Sequence, residues 1–564
     1  MTVSSRLSAH ADVTLLWATR LMDGFAAAGV QRAVISPGAR STPLALAAFR
    51  HPRLKVQVVV DERSAAFFAL GQAKATKTPT VLVATSGSAV ANWLPAVVEA
   101  DMARAPLILL SADRPPELHG CGANQTMDQL GLFSGHVRAF HQLPPAEREN
   151  AWLGRLAAQC VAESLGPLAG PVHINIPLRE PLVGGSGPVP PPARGEPPRW
   201  FPAHAQPGKA ALAALSAFVS SGPGAIVCGP DDLGPGFRLA VGELALRLGA
   251  PIFADALSGL RFGPFGAETV LTHPDQVART APKASWILRF GGAPVSRATA
   301  EWLELSAGCP QAVIADHQRL ADPFGAATHV ISADPETLCG DLTGPPAEHA
   351  WLDRVLALDR AAADAAAQAC RGDQAFEGSV LRALVQSLPE ATPLFLGNSL
   401  TIRAAEWFAG RTRHSLRVYG NRGVSGIDGN ISTAFGLAAA HGRAVAAVGD
   451  LAFLHDLNAL AFGRDLPLVA LVFDNGGGGI FDHLPQAGLP EFERGWLTPQ
   501  ALDPGKAAQA FGLASFDTGS VDEAVDAVLK ALETPKTAVI RIRVDRATSL
   551  ARCRAFHASC KQGH

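Results

Sequence analysis

The chain alternates short apolar or β-branched runs with longer Ala- and Leu-rich stretches of helical periodicity. The first third has RAVISPG at 32–38, KVQVVVDE at 55–62, TVLVATSGS at 80–88, APLILLSADR at 105–114 and PVHINIP at 171–177. The middle third has GAIVCGP at 224–230, APIFAD at 250–255, SWILRFGG at 285–292, QAVIADH at 311–317 and THVISAD at 328–334. The last third has PLFLGNS at 393–399, RVYGNRG at 417–423, AVAAVGD at 444–450, LVALVFDN at 468–475 and TAVIRIRV at 537–544. Runs without apolar/polar alternation suit strands buried on both faces of a parallel sheet. The helical stretches between them then act as crossovers that cover those faces. The pattern predicts an α/β protein of three doubly wound domains with mainly parallel sheets. In such sheets ligands bind beyond the carboxyl ends of the strands, so chemistry is expected just after the runs.

Two segments break the alternation. GGSGPVPPPARGEPPRWFP, residues 184–202, is too rich in Pro for helix or central strand and reads as an extended connector. GPPAEHAW, from Gly344, leads into an Ala-rich helical stretch near 350–371. The expected organisation is a domain over 1–183, a linker over 184–202, a domain over 203–343, a linker and helix over 344–371, and a domain over 372–564. A length of 564 residues fits this count at roughly 100–200 residues per domain. No short-period repeat is evident.

Composition narrows the class. Hydrophobic residues at 48% against 17% charged exclude a disordered chain. Lys plus Arg number 48 and acids 50, so no bulk attraction to nucleic acid or acidic membranes is expected. Eight cysteines without a Cys-x-x-Cys pair or zinc-like spacing suggest reduced thiols and a cytoplasmic protein. The N-terminal MTVSSRLSAHADVTLLWATRLMDGF reads as an amphipathic helix rather than a leader, and no apolar stretch is long enough to span a bilayer.

Three sets of residues could carry chemistry. Glu62 ends VVVDE and opens a helix, with Asp61 as its N-cap. It is either a helix-start acid favoured by the macrodipole or a carboxyl group held in a cleft. Asp450 ends AVAAVGD, Asn475 ends LVALVFDN, and Gly476–Gly479 follow. They are either ordinary strand-to-turn caps or hard oxygen ligands suited to Mg2+ and a ligand's phosphate oxygens. The third set is Arg40, Arg114, Arg297, Arg403 and Arg422, each on or just after an expected strand end or loop. Singly they read as surface ion pairs; together they suit a small anionic ligand.

SPGARSTPLALAAF, VDERSAAFFALGQAK, ATSGSAVANWLPAVVEA, LILLSADRPPELHGCGANQTMDQLGLF, GNSLTIR, NRGVSGIDG, and VGDLAFLHDLNAL with NGGGGIF resemble one family closely. It is the thiamine-diphosphate-dependent synthases of 2-succinyl-5-enolpyruvyl-6-hydroxy-3-cyclohexene-1-carboxylate (SEPHCHC) in menaquinone biosynthesis. The likeness is dense in the first and last blocks and loose in the middle block. It implies a pyrimidine-binding first domain, a middle domain without cofactor chemistry, and a diphosphate-binding last domain. It also implies a homodimer or dimer of dimers, with cofactor between the first domain of one subunit and the last of another. The implied reaction decarboxylates 2-oxoglutarate and adds the succinyl carbanion equivalent to isochorismate.

Carried over position by position, Asp450, Asn475 and the Gly477 carbonyl match the ligands of Mg2+ or Mn2+. Glu62 matches the acid that hydrogen-bonds the aminopyrimidine of thiamine diphosphate, and Ile427 the residue that props the bent cofactor. Asn398, Ser399, Gly426, Asp428, Gly449 and Leu451 match further cofactor-binding positions. Arg40, Arg114, Asn124, Gln125, Arg297, Ser399, Arg403, Arg422, Ile480 and Phe481 match the substrate pocket. Ala39 and Ala452 replace serines usual in the family, Asp474 and Gly476 flank Asn475, and Arg297 stands for the usual Lys. Two rivals remain: an acetolactate-type carboligase or decarboxylase, and a non-catalytic cofactor-binding paralogue. A generic nucleotide-binding protein has no Gly-x-Gly-x-x-Gly fingerprint to support it.

Overall fold

The computed structural model describes residues 3–147, 152–183, 200–201, 203–265, 268–345 and 349–559. Most of the expected 184–202 connector therefore lies outside the described residues.

Among the described residues, seventeen strands form three sheets. The first sheet holds β1 (Arg32–Ile35), β2 (Lys55–Val58), β3 (Thr80–Ala84), β4 (Leu107–Asp113), β5 (Ala139–Gln142) and β6 (Pro171–Pro177). The second holds β7 (Gly224–Cys228), β8 (Ile252–Ala254), β9 (Trp286–Phe290), β10 (Gln311–Ala315) and β11 (His329–Ser332). The third holds β12 (Pro393–Leu396), β13 (Arg417–Tyr419), β14 (Ala444–Gly449), β15 (Leu468–Asp474), β16 (Ala514–Thr518) and β17 (Ala538–Arg543).

Every neighbouring pair of these strands is parallel. The first sheet runs β2-β1-β3-β4-β6-β5 and the third β13-β12-β14-β15-β17-β16, the same order with the same crossovers. The second, β11-β10-β9-β7-β8, keeps that reversal of direction beside its first strand. Each sheet thus has a topological switch point where a crevice opens at the strand carboxyl ends. It lies between β1 and β3 in the first sheet and between β12 and β14 in the third.

The buried runs explain the layering. In the first sheet Val81, Val83, Ile108, Leu110, Val172 and Ile174 pack with Leu21, Met22, Phe25, Leu153 and Ala157 from the helices Val3–Ala27 and Trp152–Leu165. In the third, Leu394, Leu396, Val445, Ala447, Leu471 and Ile540 pack with the helices Glu377–Ser387, Leu400–Phe408 and Val521–Leu532. The Ala-rich stretch forms the helix His349–Ala369, whose Val355 joins the middle-sheet core and whose Ala366 joins the third-sheet core.

By compactness the chain divides into two units. The first comprises Met1–Ala203 with Asn421–Gly442 and His455–Phe462; the second comprises His204–Gly420, Arg443–Leu454 and Gly463–His564. The helix Asn430–His441 joins the first unit because it packs on the helix Glu62–Thr76. No helix among the described residues is long and apolar enough to cross a membrane.

Candidate active site

In the second unit, the carboxyl ends of the neighbouring strands β14 and β15 carry Asp450 and Asn475. Asp450 opens the helix Asp450–His455. Its Oδ1 accepts the Leu451 N–H at 2.7 Å, and its Oδ2 accepts the Gly477 N–H at 2.7 Å. Burial pushes its carboxyl up to about 7, against the lowering effect of those N–H groups. A cation facing it would restore the ionised form.

Asn475 donates from Nδ2 to the Glu377 Oε1 at 2.8 Å, while the Glu377 Oε2 accepts from the Ser549 hydroxyl at 2.6 Å. Both Glu377 carboxyl oxygens act as acceptors here, so the Asn475 amide turns its nitrogen toward Glu377. The Asn475 Oδ1 is buried and has no hydrogen-bond partner. A buried carbonyl oxygen without a partner is costly, and a cation ligand is a role that satisfies it.

Gly477 has φ of 128°, and a Cβ there would lie 2.1 Å from the Leu497 carbonyl oxygen. Only glycine fits the turn that brings its N–H to Asp450. Its carbonyl accepts the Gly479 N–H at 2.9 Å, leaving a second lone pair. Asp474 turns away, bound to the Arg541 Nε at 2.7 Å. A carboxamide and a carboxylate oxygen beside the turn carbonyl of Gly477 form a hard-oxygen set, which fits Mg2+ or Mn2+.

The other lip of this sheet's switch point follows β12. Asn398 is buried, and Ser399 has the left-handed φ of 68°, uncommon for a residue with a side chain. Ser399 begins the helix Leu400–Phe408, and its carbonyl accepts from the Arg403 Nη1 at 2.8 Å. Gly449 and Leu451 flank Asp450. Ile480 packs against the core, and Phe481 lies beside it in the turn Gly479–His483.

In the first unit, Asp61 caps the Glu62–Thr76 helix by accepting the Arg63 and Ser64 N–H groups. Glu62 is half-buried, and its carboxylate has no hydrogen-bond partner among the described residues. The helix start alone accounts for the capping by Asp61, not for a second acid left without a bond.

Arg40 and Arg114 come together at the carboxyl ends of the first sheet. Arg40 is buried; its Nη1 donates to the Leu178 carbonyl at 2.8 Å and its Nη2 to Glu180 at 2.9 Å. Its Nε is buried without a partner. Burial, and then the Arg40 charge, lower the pKa of Arg114. Glu180, already paired with Arg40, and Asp113 offset part of that effect. Arg114 Nη1 donates to the Ser86 Oγ at 2.6 Å. Ser86 Oγ donates to the Gln125 carbonyl at 2.9 Å, and the Gln125 Nε2 returns a bond to the Ser86 carbonyl at 3.0 Å. Asn124 and Gln125 are exposed on this loop.

The 421–430 segment completes the first unit's set. Lys74, buried and with its pKa lowered by that burial, pairs with Glu99 at 3.0 Å and donates to the Asn421 Oδ1 at 2.8 Å. Glu99 also accepts the Gly423 and Val424 N–H groups at 3.0 and 2.7 Å. This buried pair clamps the backbone on both sides of Arg422. The Asn430 Nδ2 donates to the Gly426 and Asp428 carbonyls, shaping the turn that presents Ile427.

Three family descriptions match the chain in order. "Thiamine pyrophosphate enzyme, N-terminal TPP binding domain" matches residues 17–132, "Middle domain of thiamine pyrophosphate" 198–396, and "Thiamine pyrophosphate enzyme, C-terminal TPP binding domain" 402–542. The 2-succinyl-5-enolpyruvyl-6-hydroxy-3-cyclohexene-1-carboxylate synthase of Dechloromonas aromatica (strain RCB) is 44% identical over 542 residues, covering 93% of this chain and 98% of that protein. The synthase of the same name from Geobacillus kaustophilus (strain HTA426) is 40% identical, with 96% of each chain covered. The chain belongs to the SEPHCHC synthase family. A crystal structure of benzoylformate decarboxylase from Polynucleobacter necessarius shares the fold, with TM-score 0.69 at 16% identity over 94% of this chain and 98% of that one.

Not every residue carried over to this SEPHCHC synthase family site sits as expected. Arg297 opens the helix Arg297–Leu305 and is 84% exposed, paired with Glu301 at 2.6 Å. Arg403 lies within the first turn of its helix rather than on a loop. So only Arg40, Arg114 and Arg422 are loop residues at strand ends. Ala452 is buried, whereas Ala39 is exposed. Sequence reasoning missed Glu377, Lys74, Glu99 and Asn175. The polar Asn in the apolar PVHINIP was a usable signal; Glu377 had none, because its partner is remote in the chain. It also missed a cluster of His141, Cys160 and Glu163, whose ligand atoms lie within 4.8 Å of one another. There His141 already bonds Glu163 at 2.8 Å, and burial raises the Cys160 thiol far above its usual pKa.

Proposed function

We propose that this SEPHCHC synthase family member takes 2-oxoglutarate and isochorismate as its substrates and uses Mg2+ or Mn2+ to hold thiamine diphosphate. When bound, thiamine diphosphate supplies the electron sink for decarboxylation and carbon–carbon bond formation. Asp450, the Asn475 Oδ1 and the Gly477 carbonyl bind the metal with the diphosphate. Asn398, Ser399, Gly426, Asp428, Gly449 and Leu451 would line the cofactor, and Ile427 would support it from the turn that the Asn430 amide shapes. Glu62 bonds the aminopyrimidine ring and sets its protonation.

Arg40, Arg114, Asn124, Gln125, Ser399, Arg403, Arg422, Ile480 and Phe481 hold the two substrates, while Arg297, exposed and paired with Glu301, is left out of the set. Both are dicarboxylates, and bidentate guanidinium pairing discriminates for them against pyruvate, which lacks the second carboxylate. We assign residues 1–183 as the pyrimidine-binding domain, 203–343 as the middle domain and 372–564 as the diphosphate-binding domain. The working form is a homodimer or dimer of dimers in the cytoplasm.

The observation that carries the reading is the Asn475 carbonyl oxygen, buried without a partner beside a carboxyl group that burial has pushed up to about 7. The test is a product assay with thiamine diphosphate, Mg2+, 2-oxoglutarate and isochorismate. Carbon dioxide and SEPHCHC are expected, identified by mass. Acetolactate formed from pyruvate at a higher kcat/KM would overturn the substrate assignment.

A further inference from the structure

We infer that Asn175 is a positioning residue that fixes Arg114 and the Ser86–Gly87 turn for substrate binding, through a buried carboxamide hub on β6. The inference rests on the assignment of Arg114 and Gln125 to the substrate pocket.

Asn175 is the fifth residue of PVHINIP, a strand whose every residue is buried. Its register partner on β4 is Ser111, and Asp113 lies two residues further along. Strand alternation puts Ser111, Asp113, His173 and Asn175 on one face, opposite the apolar face of Leu110, Ala112, Val172 and Ile174. Such positions in a central strand ordinarily hold apolar side chains.

The Asn175 amide uses its full bonding capacity. Its Oδ1 accepts from the Ser111 Oγ at 2.7 Å and the Gln129 Nε2 at 2.8 Å. Its Nδ2 donates to the Asp113 Oδ2 at 2.8 Å and the Gln142 Oε1 at 2.9 Å. An amide has two donors and two acceptor sites, so none is spare. Asn175, Ser111, Asp113 and Gln129 are all fully buried. A saturated network in a dry interior has few alternative arrangements, which makes it a device for orientation.

Two arms of the hub, through Asp113 and Gln129, reach residues beside the substrate pocket. With Oδ2 engaged by Asn175, the Asp113 Oδ1 accepts the Arg114 N–H at 2.7 Å. With its nitrogen engaged by Asn175, Gln129 turns its Oε1 to the Gly87 N–H at 3.0 Å. Ser86, next to Gly87, accepts from the Arg114 guanidinium and exchanges bonds with Gln125. Three separate segments are thus brought to one register by a single side chain on a fourth. Packing alone would need no such set of directed bonds.

The test is a double-mutant cycle. Asn175→Asp keeps the volume, removes both donors and sets a second carboxylate against Asp113. In otherwise wild-type enzyme it should raise the KM for an anionic substrate by about tenfold or more, with kcat changed less, the pattern of lost uniform binding. Thiamine diphosphate affinity, measured by calorimetry, should stay within about twofold of wild type if the effect runs through the substrate arginine. In the Arg114→Ala background the same substitution should cost less than about threefold, since coupled residues are non-additive. An unchanged KM, or a loss as large in the Arg114→Ala background, would overturn the inference. If Asn175→Asp does not fold, Gln129→Glu, which keeps the acceptor for Gly87 but loses the donor to Asn175, takes the same cycle with the same outcomes. Failure of the wild-type enzyme to form product would instead defeat the functional reading.

Discussion

Gly71 and Gly436 meet backbone to backbone where the helices Glu62–Thr76 and Asn430–His441 cross. A Cβ on Gly436 would fall 2.9 Å from the Gly71 Cα and 2.1 Å from the Phe68 carbonyl oxygen; one on Gly71 would fall 2.1 Å from the Thr433 carbonyl oxygen. Backbone cannot swing aside as a side chain can. Gly71→Ala and Gly436→Ala are each expected to destabilise the protein by about 1–3 kcal/mol, the range for overpacking, despite alanine's better helix propensity. Thermal melting checks this, and a stabilised variant would show that the helices can part without cost.

The Glu377–Asn475 bond predicts an amide flip. Glu377→Gln supplies a nitrogen that can donate to the Asn475 carbonyl, turning the Asn475 N–H groups toward the expected cation. Metal-dependent affinity for thiamine diphosphate should fall about 10–100-fold, as for partners that orient metal ligands. Calorimetry at fixed Mg2+ measures it, beside Asp450→Ala as the direct loss of a ligand. Unchanged binding in both variants would remove this pair from the cofactor site.

Glu62→Gln should fold and still bind cofactor, because Asp61 rather than Glu62 caps the helix. Its turnover should fall by about 10²–10⁴, the range for acid–base groups. Near-normal kcat in the purified variant would end the assignment.

His173 is buried, and its Nδ1 has no hydrogen-bond partner. Burial pushes its pKa down from 6.5 to about 3. The folded protein therefore holds it neutral, and the unfolded chain takes up the proton first. That contribution to stability is full above about pH 6.5 and is lost as pH falls toward 3, at up to about 1.4 kcal/mol per pH unit. Asp456, pushed up to about 7 by burial, acts in the opposite sense, so the comparison must be with a variant. His173→Gln should flatten the loss of stability between pH 6 and 4, read by denaturant unfolding. An identical slope would show that His173 is not the group titrating.

Fifteen strands lie within runs visible in the sequence; the two that escaped are β5 and β16. Both sit at the same outer edge of their sheets. AFHQ and ASFDT are partly solvated there, so neither forms the continuous apolar run of a central strand. The strand-end placement of the candidate residues Asp450 and Asn475 was legible. The candidate site was illegible where support comes from across the fold. Glu377 is far from Asn475 in sequence, and the Lys74–Glu99 pair reads as two surface charges until Asn421 and Gly423 are placed beside it.

The first unit also draws on chain that the ribosome makes late. Phe67, Phe68 and Gly71 of the early helix are buried, and the Asn430–His441 segment that covers them emerges only after the whole middle block. A nascent chain must carry that uncovered apolar face through most of its synthesis, the condition under which chaperones are needed and aggregation competes with folding. Cutting the gene at the connector would leave the same face permanently bare. The boundary that looks natural in the sequence is therefore a poor place to make an independent fragment.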